Sequence, residues 1–196
     1  VKEFELDPLA DVWIMLDAEK SAHTGSTASQ VPSDEEHAIQ LPPTSEEYAI
    51  AAAASLAKFF LMRDRAVGFI TEGQRREYLQ VDRGGRQLNK ILETLAVLHM
   101  TGTTTFDRLL QQETDRFSRG TTLVMVTPAM RDTWVERAYE LRARGVQMVA
   151  VLIDSESFGG RPGTRRIVNG LSQANIPAYI VRLGQSISAS LSVPVN

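Results

Sequence analysis

Five short apolar runs constrain this chain more than any other feature of its sequence: Val12–Asp17, Ala66–Thr71, Thr122–Thr127, Val146–Asp154 and Ala178–Leu183. A strand with one wet face alternates apolar and polar residues. These runs are continuously apolar, so the sheet they build is covered on both faces. A sixth segment, Arg76–Val81, follows the second run after "EGQ", a gap short enough for a hairpin. It is therefore expected to be antiparallel and to lie at an edge. Helical spacing between the runs predicts an α/β fold: a doubly wound, mostly parallel six-stranded sheet with helices on both faces. The chain has 196 residues, enough for one such domain with a real core, and the reading is a single domain over 1–196.

The helices carry their own punctuation. Thr44 with Glu47 three residues on forms a capping box, opening a helix expected to reach about Arg65. Leu88, Ile91, Leu92, Leu95 and Leu98 mark one face of a second helix stopping near Gly102, with His99 on it. Phe106–Phe117 reads as a shorter third. A fourth is expected to be capped by Thr127 with Pro128 in its first turn, to turn Trp134, Ala138 and Leu141 inward, and to end at Gly145. Thr164–Asn175 is a fifth, and the tail after Gly184 a weak last one. The Ala-rich stretch "YAIAAAASLAKFFLM" is short for a membrane span and carries Lys58, so it reads as a buried helix. Residues 18–43 form a long insertion rich in Ser, Thr, Pro and acidic residues, expected to be flexible after the first strand.

Lys plus Arg is 21 and Asp plus Glu is 24, a net charge of −3, which gives no electrostatic footprint for nucleic acid. There is no cysteine, which excludes disulfides, a thiolate nucleophile and zinc–cysteine clusters. The sequence has no phosphate-binding P-loop, no Gly-x-Gly-x-x-Gly after a strand and no Gly-x-Ser-x-Gly elbow. His23, His37 and His99 lack the spacing of a zinc protease. "GGRPGTRR", Gly159–Arg166, precedes a helix and could hold an anion, or could be a loop with solvated arginines.

In an open α/β sheet the functional edge lies beyond the carboxyl ends of the parallel strands. The first run ends on Asp17, followed by Glu19 and Ser21 at alternate positions. "TGTTTF", Thr101–Phe106, offers further hydroxyls between two helices. Together these resemble the von Willebrand factor A fold, whose metal-ion-dependent adhesion site uses Asp-x-Ser-x-Ser after the first strand, a Thr from a later loop and an Asp after the fourth strand. The resemblance implies that Asp17, Ser21 and Thr103 are the candidate metal ligands. Oxygen ligands of this kind suit magnesium. Two positions depart from the pattern: Glu19 replaces the first Ser, and Pro128 stands where the last Asp belongs. The site therefore reads as degenerate, and weak or absent magnesium binding is expected.

The match extends further. "VKEFELDPLADVWIMLD", "RGTTLVMVTPAM", "RGVQMVAVLIDSESFGG" and "IPAYIVRLG" together resemble the carboxyl-terminal half of the bacterial family called domain of unknown function 58. That resemblance implies a piece of a longer protein, anchored in the inner membrane with this domain on the cytoplasmic side. It also implies a MoxR-type AAA+ ATPase as partner, and an adaptor role in protein or complex maturation. The expected function is a non-enzymatic protein-interaction domain. Its binding edge holds Asp17, Glu19, Ser21, Thr103 and Thr127, with Glu19 expected as a surface charge. The alternatives are a magnesium-dependent adhesion-type domain and, weakened by the lack of a nucleophile–base pair, a hydrolase.

Overall fold

The computed structural model describes residues 10–25 and 41–195. The segment around Lys2–Glu5, His37 and the middle of the 18–43 insertion lie outside them. Six strands form one sheet: β1 (Val12–Leu16), β2 (Val67–Glu72), β3 (Arg76–Asp82), β4 (Thr122–Thr127), β5 (Gln147–Ile153) and β6 (Ala178–Val181). Their order is β3-β2-β1-β4-β5-β6. Every pairing is parallel except β2 with β3, which is antiparallel and places β3 at the edge. The hydrophobic pattern requires the sheet to be covered on both faces, because β1, β4 and β5 have no polar face to offer water.

Six helices cover the two faces. α1 (Ser45–Leu61), α2 (Gly84–Ala96) and the short α6 (Ile187–Ser190) pack with Val12, Ile14 and Leu16 of β1. α3 (Phe106–Glu113), α4 (Thr133–Ala143) and α5 (Thr164–Gln173) pack with Trp13 and Met15, the alternate residues of the same strand. α1 lies close against the sheet because Ala49, Ala52, Ala53 and Ala57 present almost no side chain. Trp13 lies flat over Gly68 on the neighbouring strand, where a Cβ would sit 2.5 Å from the indole. The buried carboxylate of Glu113 is ion-paired with Arg76 and Arg116, tying edge strand β3 to α3.

Several sequence-based boundaries shift, each for a local reason. The Thr44 hydroxyl does cap α1 by accepting from the Glu47 amide at 3.2 Å, but the helix stops at Leu61, before a turn with positive φ at Asp64. α2 ends at Ala96 rather than near Gly102, so exposed His99 sits in a loop. Leu92 is exposed; the buried face of α2 is Gln87, Ile91 and Leu95. α4 begins at Thr133, not at Pro128, because Thr127 is spent on other hydrogen bonds described below. Part of the expected flexible insertion is packed: Ala18 and Glu19 are buried, and Gly25 forms a bridge with Thr44.

Candidate functional site: the carboxyl edge of the sheet

The sheet order reverses direction at β1, whose neighbours are β2 on one side and β4 on the other. A crevice forms at such a point, beyond the carboxyl ends of the strands. Asp17 leaves β1 into this crevice, held by its own amide donating to the Val126 carbonyl at 2.9 Å. Its side chain is 1% exposed. Oδ1 accepts from the Glu19 amide at 3.0 Å, and Oδ2 accepts from the Thr127 hydroxyl at 2.6 Å. Thr127 Oγ1 itself accepts from the Ala129 amide at 2.9 Å, which leaves its proton for Asp17. Thr127 thus anchors the Asp17 carboxyl and shapes the start of the β4–α4 loop.

Burial pushes the Asp17 carboxyl up from 3.8 to about 7. The two hydrogen bonds oppose that rise, the neighbouring Glu19 charge adds to it, and Arg131 opposes it. His23 lies on the same turn. Its Nε2 is 2.9 Å from the Asp17 carbonyl oxygen and its Nδ1 is 3.3 Å from Ser45 Oγ at the start of α1. Burial holds this imidazole below its ordinary pKa.

Glu19 is 5% exposed, so it is a buried carboxylate rather than the surface charge expected. Its Oε1 accepts from the Ser21 hydroxyl and from Arg131 Nη2, which also lies 3.4 Å from Ser21 Oγ. Arg131 stands 112 residues further along the chain, on the loop between β4 and α4. This loop is fixed on its far side too: Arg166 Nη2 donates to the Met130 carbonyl at 2.6 Å, and Trp134 Nε1 donates to the Ala129 carbonyl at 3.0 Å.

The loop between α2 and α3 closes the other wall. Gly102 donates its amide to the Ala18 carbonyl and accepts from the Lys20 amide, both at 2.9 Å. A Cβ at Gly102 would lie 2.2 Å from the Glu72 carbonyl oxygen, so only glycine allows three backbones to meet here. Thr103 follows it and is exposed, while Thr104 donates its hydroxyl to the Glu72 carboxylate.

The structure therefore brings Asp17, Glu19, Ser21 and Thr127 into one hydrogen-bonded cluster, with Thr103 on the adjoining loop. Sequence reasoning missed Arg131, His23, Ser45 and the close approach at Gly102. Only Gly102 left a signal, as the glycine inside the hydroxyl-rich "TGTTTF".

No protein-family model matches the chain, and no curated protein matches it. Solved structures do. An aerotolerance-related membrane protein from Bacteroides fragilis superposes with a TM-score of 0.59 at 15% identity, over 94% of this chain and 96% of its own. BatB from Bacteroides thetaiotaomicron gives 0.58 at 14%, over 93% and 94%. The fold is von Willebrand factor A-like. The manganese-loaded TRAP protein of Plasmodium vivax gives 0.54 at 16%, over 96% of this chain and 75% of that one. At these identities the likeness establishes the fold and nothing of the site. Among the described residues, no group of three or more His, Asp or Glu is placed to hold a metal ion. Nor, among them, is any helix long and apolar enough to cross a membrane.

Proposed function

We propose that this domain is a non-enzymatic protein-interaction module that docks its partner on the carboxyl edge of the sheet, through a metal-ion-dependent adhesion site that has become degenerate. The observation that carries this reading is the Arg131 guanidinium seated on Glu19 and Ser21. In a von Willebrand factor A-like domain that bound a divalent ion, the residues after the first strand would turn oxygen lone pairs towards the metal. Here Glu19 Oε1 faces a fixed positive charge, and both Asp17 oxygens already accept hydrogen bonds. Asp17, Ser21 and Thr103 thus fit magnesium poorly, since an octahedral shell needs free, ionised oxygen donors. Glu19, Thr127 and Arg131 take over the work of holding the edge rigid.

A rigid, preformed edge suits docking, because little ordering entropy is lost on binding. The partner implied by the family resemblance is a MoxR-type AAA+ ATPase, with the domain acting as its adaptor on the cytoplasmic side of a membrane-anchored protein. The reading as a hydrolase finds no support in the cluster. His23 Nε2 donates to the Asp17 carbonyl and its Nδ1 lies 3.3 Å from Ser45 Oγ, while Ser45 is fully buried and its Oγ accepts from the Thr24 amide.

The test is a biosensor titration of the domain against a MoxR-type AAA+ ATPase from the same organism, with nucleotide present. Thr103→Arg adds bulk on the exposed loop of the docking edge without touching the core. It is expected to weaken binding by about tenfold or more, or about 1.4 kcal/mol, mostly through a faster off-rate. Glu140→Arg, on the exposed face of α4, is expected to leave binding within about twofold. The opposite order of effects would place the docking surface on the helices and sink the edge reading.

A further inference from the structure

The arginines of "GGRPGTRR" belong to a larger arrangement that the docking reading does not use. Three guanidinium groups line the carboxyl edge from β1 to β6, each seated on a carboxylate. Arg131 rests on Glu19. Arg166, in the first turn of α5, pairs with Asp132 through Nε at 3.1 Å. Arg182, just past β6, donates through Nε to Asp154 Oδ2 at 3.0 Å. The three are linked. Arg166 holds the Met130 carbonyl beside Arg131, and the Thr164 hydroxyl donates to Asp154 Oδ1 at 2.6 Å and lies 3.7 Å from Met130 Sδ.

The geometry points to this arc as a receptor for an acidic, extended segment of a partner protein, bound by its Asp and Glu carboxylates. The proposal rests on the docking reading above and names the chemistry of the partner. Two features support it. First, the charges are layered. Glu19 and Asp154 are buried, whereas the side chains of Arg131, Arg166 and Arg182 are 51%, 62% and 48% exposed. Buried carboxylates fix the Arg131 and Arg182 guanidiniums from beneath and the exposed Asp132 pairs with Arg166, while donors remain on the solvent side, since the fork carries five N–H groups and the pairing uses one or two nitrogens. Lys20, Arg161 and Arg165 are exposed at the same edge; among the described residues the exposed acids within the arc are Asp132 and Glu156. The described exposed side chains of the arc thus carry more positive than negative charge, in a chain whose net charge is −3.

Second, the span fits a peptide. Glu19 follows β1 and Arg182 follows β6, three strand spacings apart in the order β1-β4-β5-β6. That is about 14 Å, the length of about four residues of extended chain. Discrete carboxylates suit discrete, pre-positioned forks. A nucleic acid draws its affinity from many uncompensated cations that release counterions, and three of these arginines already carry a counter-charge. An acidic protein segment is the better match.

Fluorescence anisotropy of a labelled all-glutamate peptide against the purified domain tests this directly. The wild type is expected to bind at low salt, and to weaken by about tenfold between about 50 mM and about 300 mM salt as exposed charges are screened. Arg166→Gln leaves the exposed Asp132 and the Met130 carbonyl without their guanidinium partner, and is expected to weaken peptide binding by about threefold or more. Arg161→Gln/Arg165→Gln, two exposed positions away from any buried carboxylate, is expected to act in the same direction. Arg137→Gln on α4 is the control and is expected to change nothing. Three outcomes would overturn the proposal: no binding by the folded wild type at low salt, equal losses in Arg137→Gln and Arg166→Gln, or tighter binding of a single-stranded RNA or of phosphatidylserine vesicles than of the peptide. If the ATPase is lost on Thr103→Arg yet bound normally by Arg166→Gln, the docking edge stands and the acidic-segment proposal fails alone.

Discussion

Asp17 is the residue whose chemistry departs furthest from its sequence appearance. Its carboxyl is raised from 3.8 to about 7 by burial, so between those pH values the folded protein holds a proton that the unfolded chain has released. The stability this group contributes is complete below about pH 4 and is lost as pH rises through 7. Asn cannot ionise. The stability of Asp17→Asn relative to wild type is therefore expected to improve from pH 4 to pH 8, by about 4 kcal/mol at most. Urea denaturation across that range measures it; a difference that stays flat with pH would show that Asp17 ionises alike in the folded and unfolded chain. The motif at Asp17, a carboxylate ending a buried strand with Glu19 and Ser21 at alternate positions, is plain in the sequence. Its counter-charge is not. Arg131 lies 112 residues from Glu19, in a loop whose start looked like a helix cap, and nothing local distinguishes it from any other exposed arginine. Thr127 reads in the sequence as a helix cap and binding-edge residue, and its hydrogen bond to Asp17 emerges only once β1 and β4 are neighbours.

Elements were far more legible than contacts between them. Continuous apolar runs identified all the parallel strands, and the short "EGQ" gap identified the antiparallel edge, because those signals are set by burial and by chain length. Helix ends were harder. The α2 periodicity ran on through Leu98, yet α2 ends at Ala96 and the chain turns back so that Gly102 can meet Ala18 and Glu72. That meeting is a long-range constraint, invisible in helical spacing. It is also fragile. Gly102→Ala places a methyl group against two backbone carbonyls, neither of which can rotate away as a side-chain tip would. The expected loss is about 2–3 kcal/mol of stability, accompanied by displacement of Thr103. Chemical denaturation checks the first. An unchanged midpoint would mean that the loop moves freely and does not form a fixed wall of the crevice. The capping of α1 is the simpler case: Thr44→Ala removes one acceptor for the Glu47 amide, with an expected cost of about 1 kcal/mol.

At the scale of the whole molecule, one sheet separates two apolar cores, and every parallel strand delivers its carboxyl end to the same edge. Any ligand that binds this edge only in the folded state must raise the stability of the entire domain, because the strands that form the edge also divide the cores. Magnesium offers a global test of whether Arg131 has replaced the ion. A site with a dissociation constant of about 0.1 mM would add about 2.7 kcal/mol at about 10 mM magnesium, by mass action. For a domain of this size that gain would raise the melting temperature by about 5 °C or more. The measurement belongs near pH 8, where the Asp17 carboxyl, raised to about 7, is largely ionised and the ion has its best chance. With Arg131 already seated on Glu19, a second cation entering the crevice would meet a fixed positive charge. The wild type is therefore expected to melt within about 1 °C in magnesium and in chelator, a spread that corresponds to well under 1 kcal/mol. Removing the guanidinium in Arg131→Ala leaves Glu19 and Ser21 facing the vacated space, and any magnesium-dependent rise should appear there first. A rise of several degrees in the wild type, lost in Asp17→Ala, would instead show that the ion displaces Arg131 and that the adhesion-type site is intact.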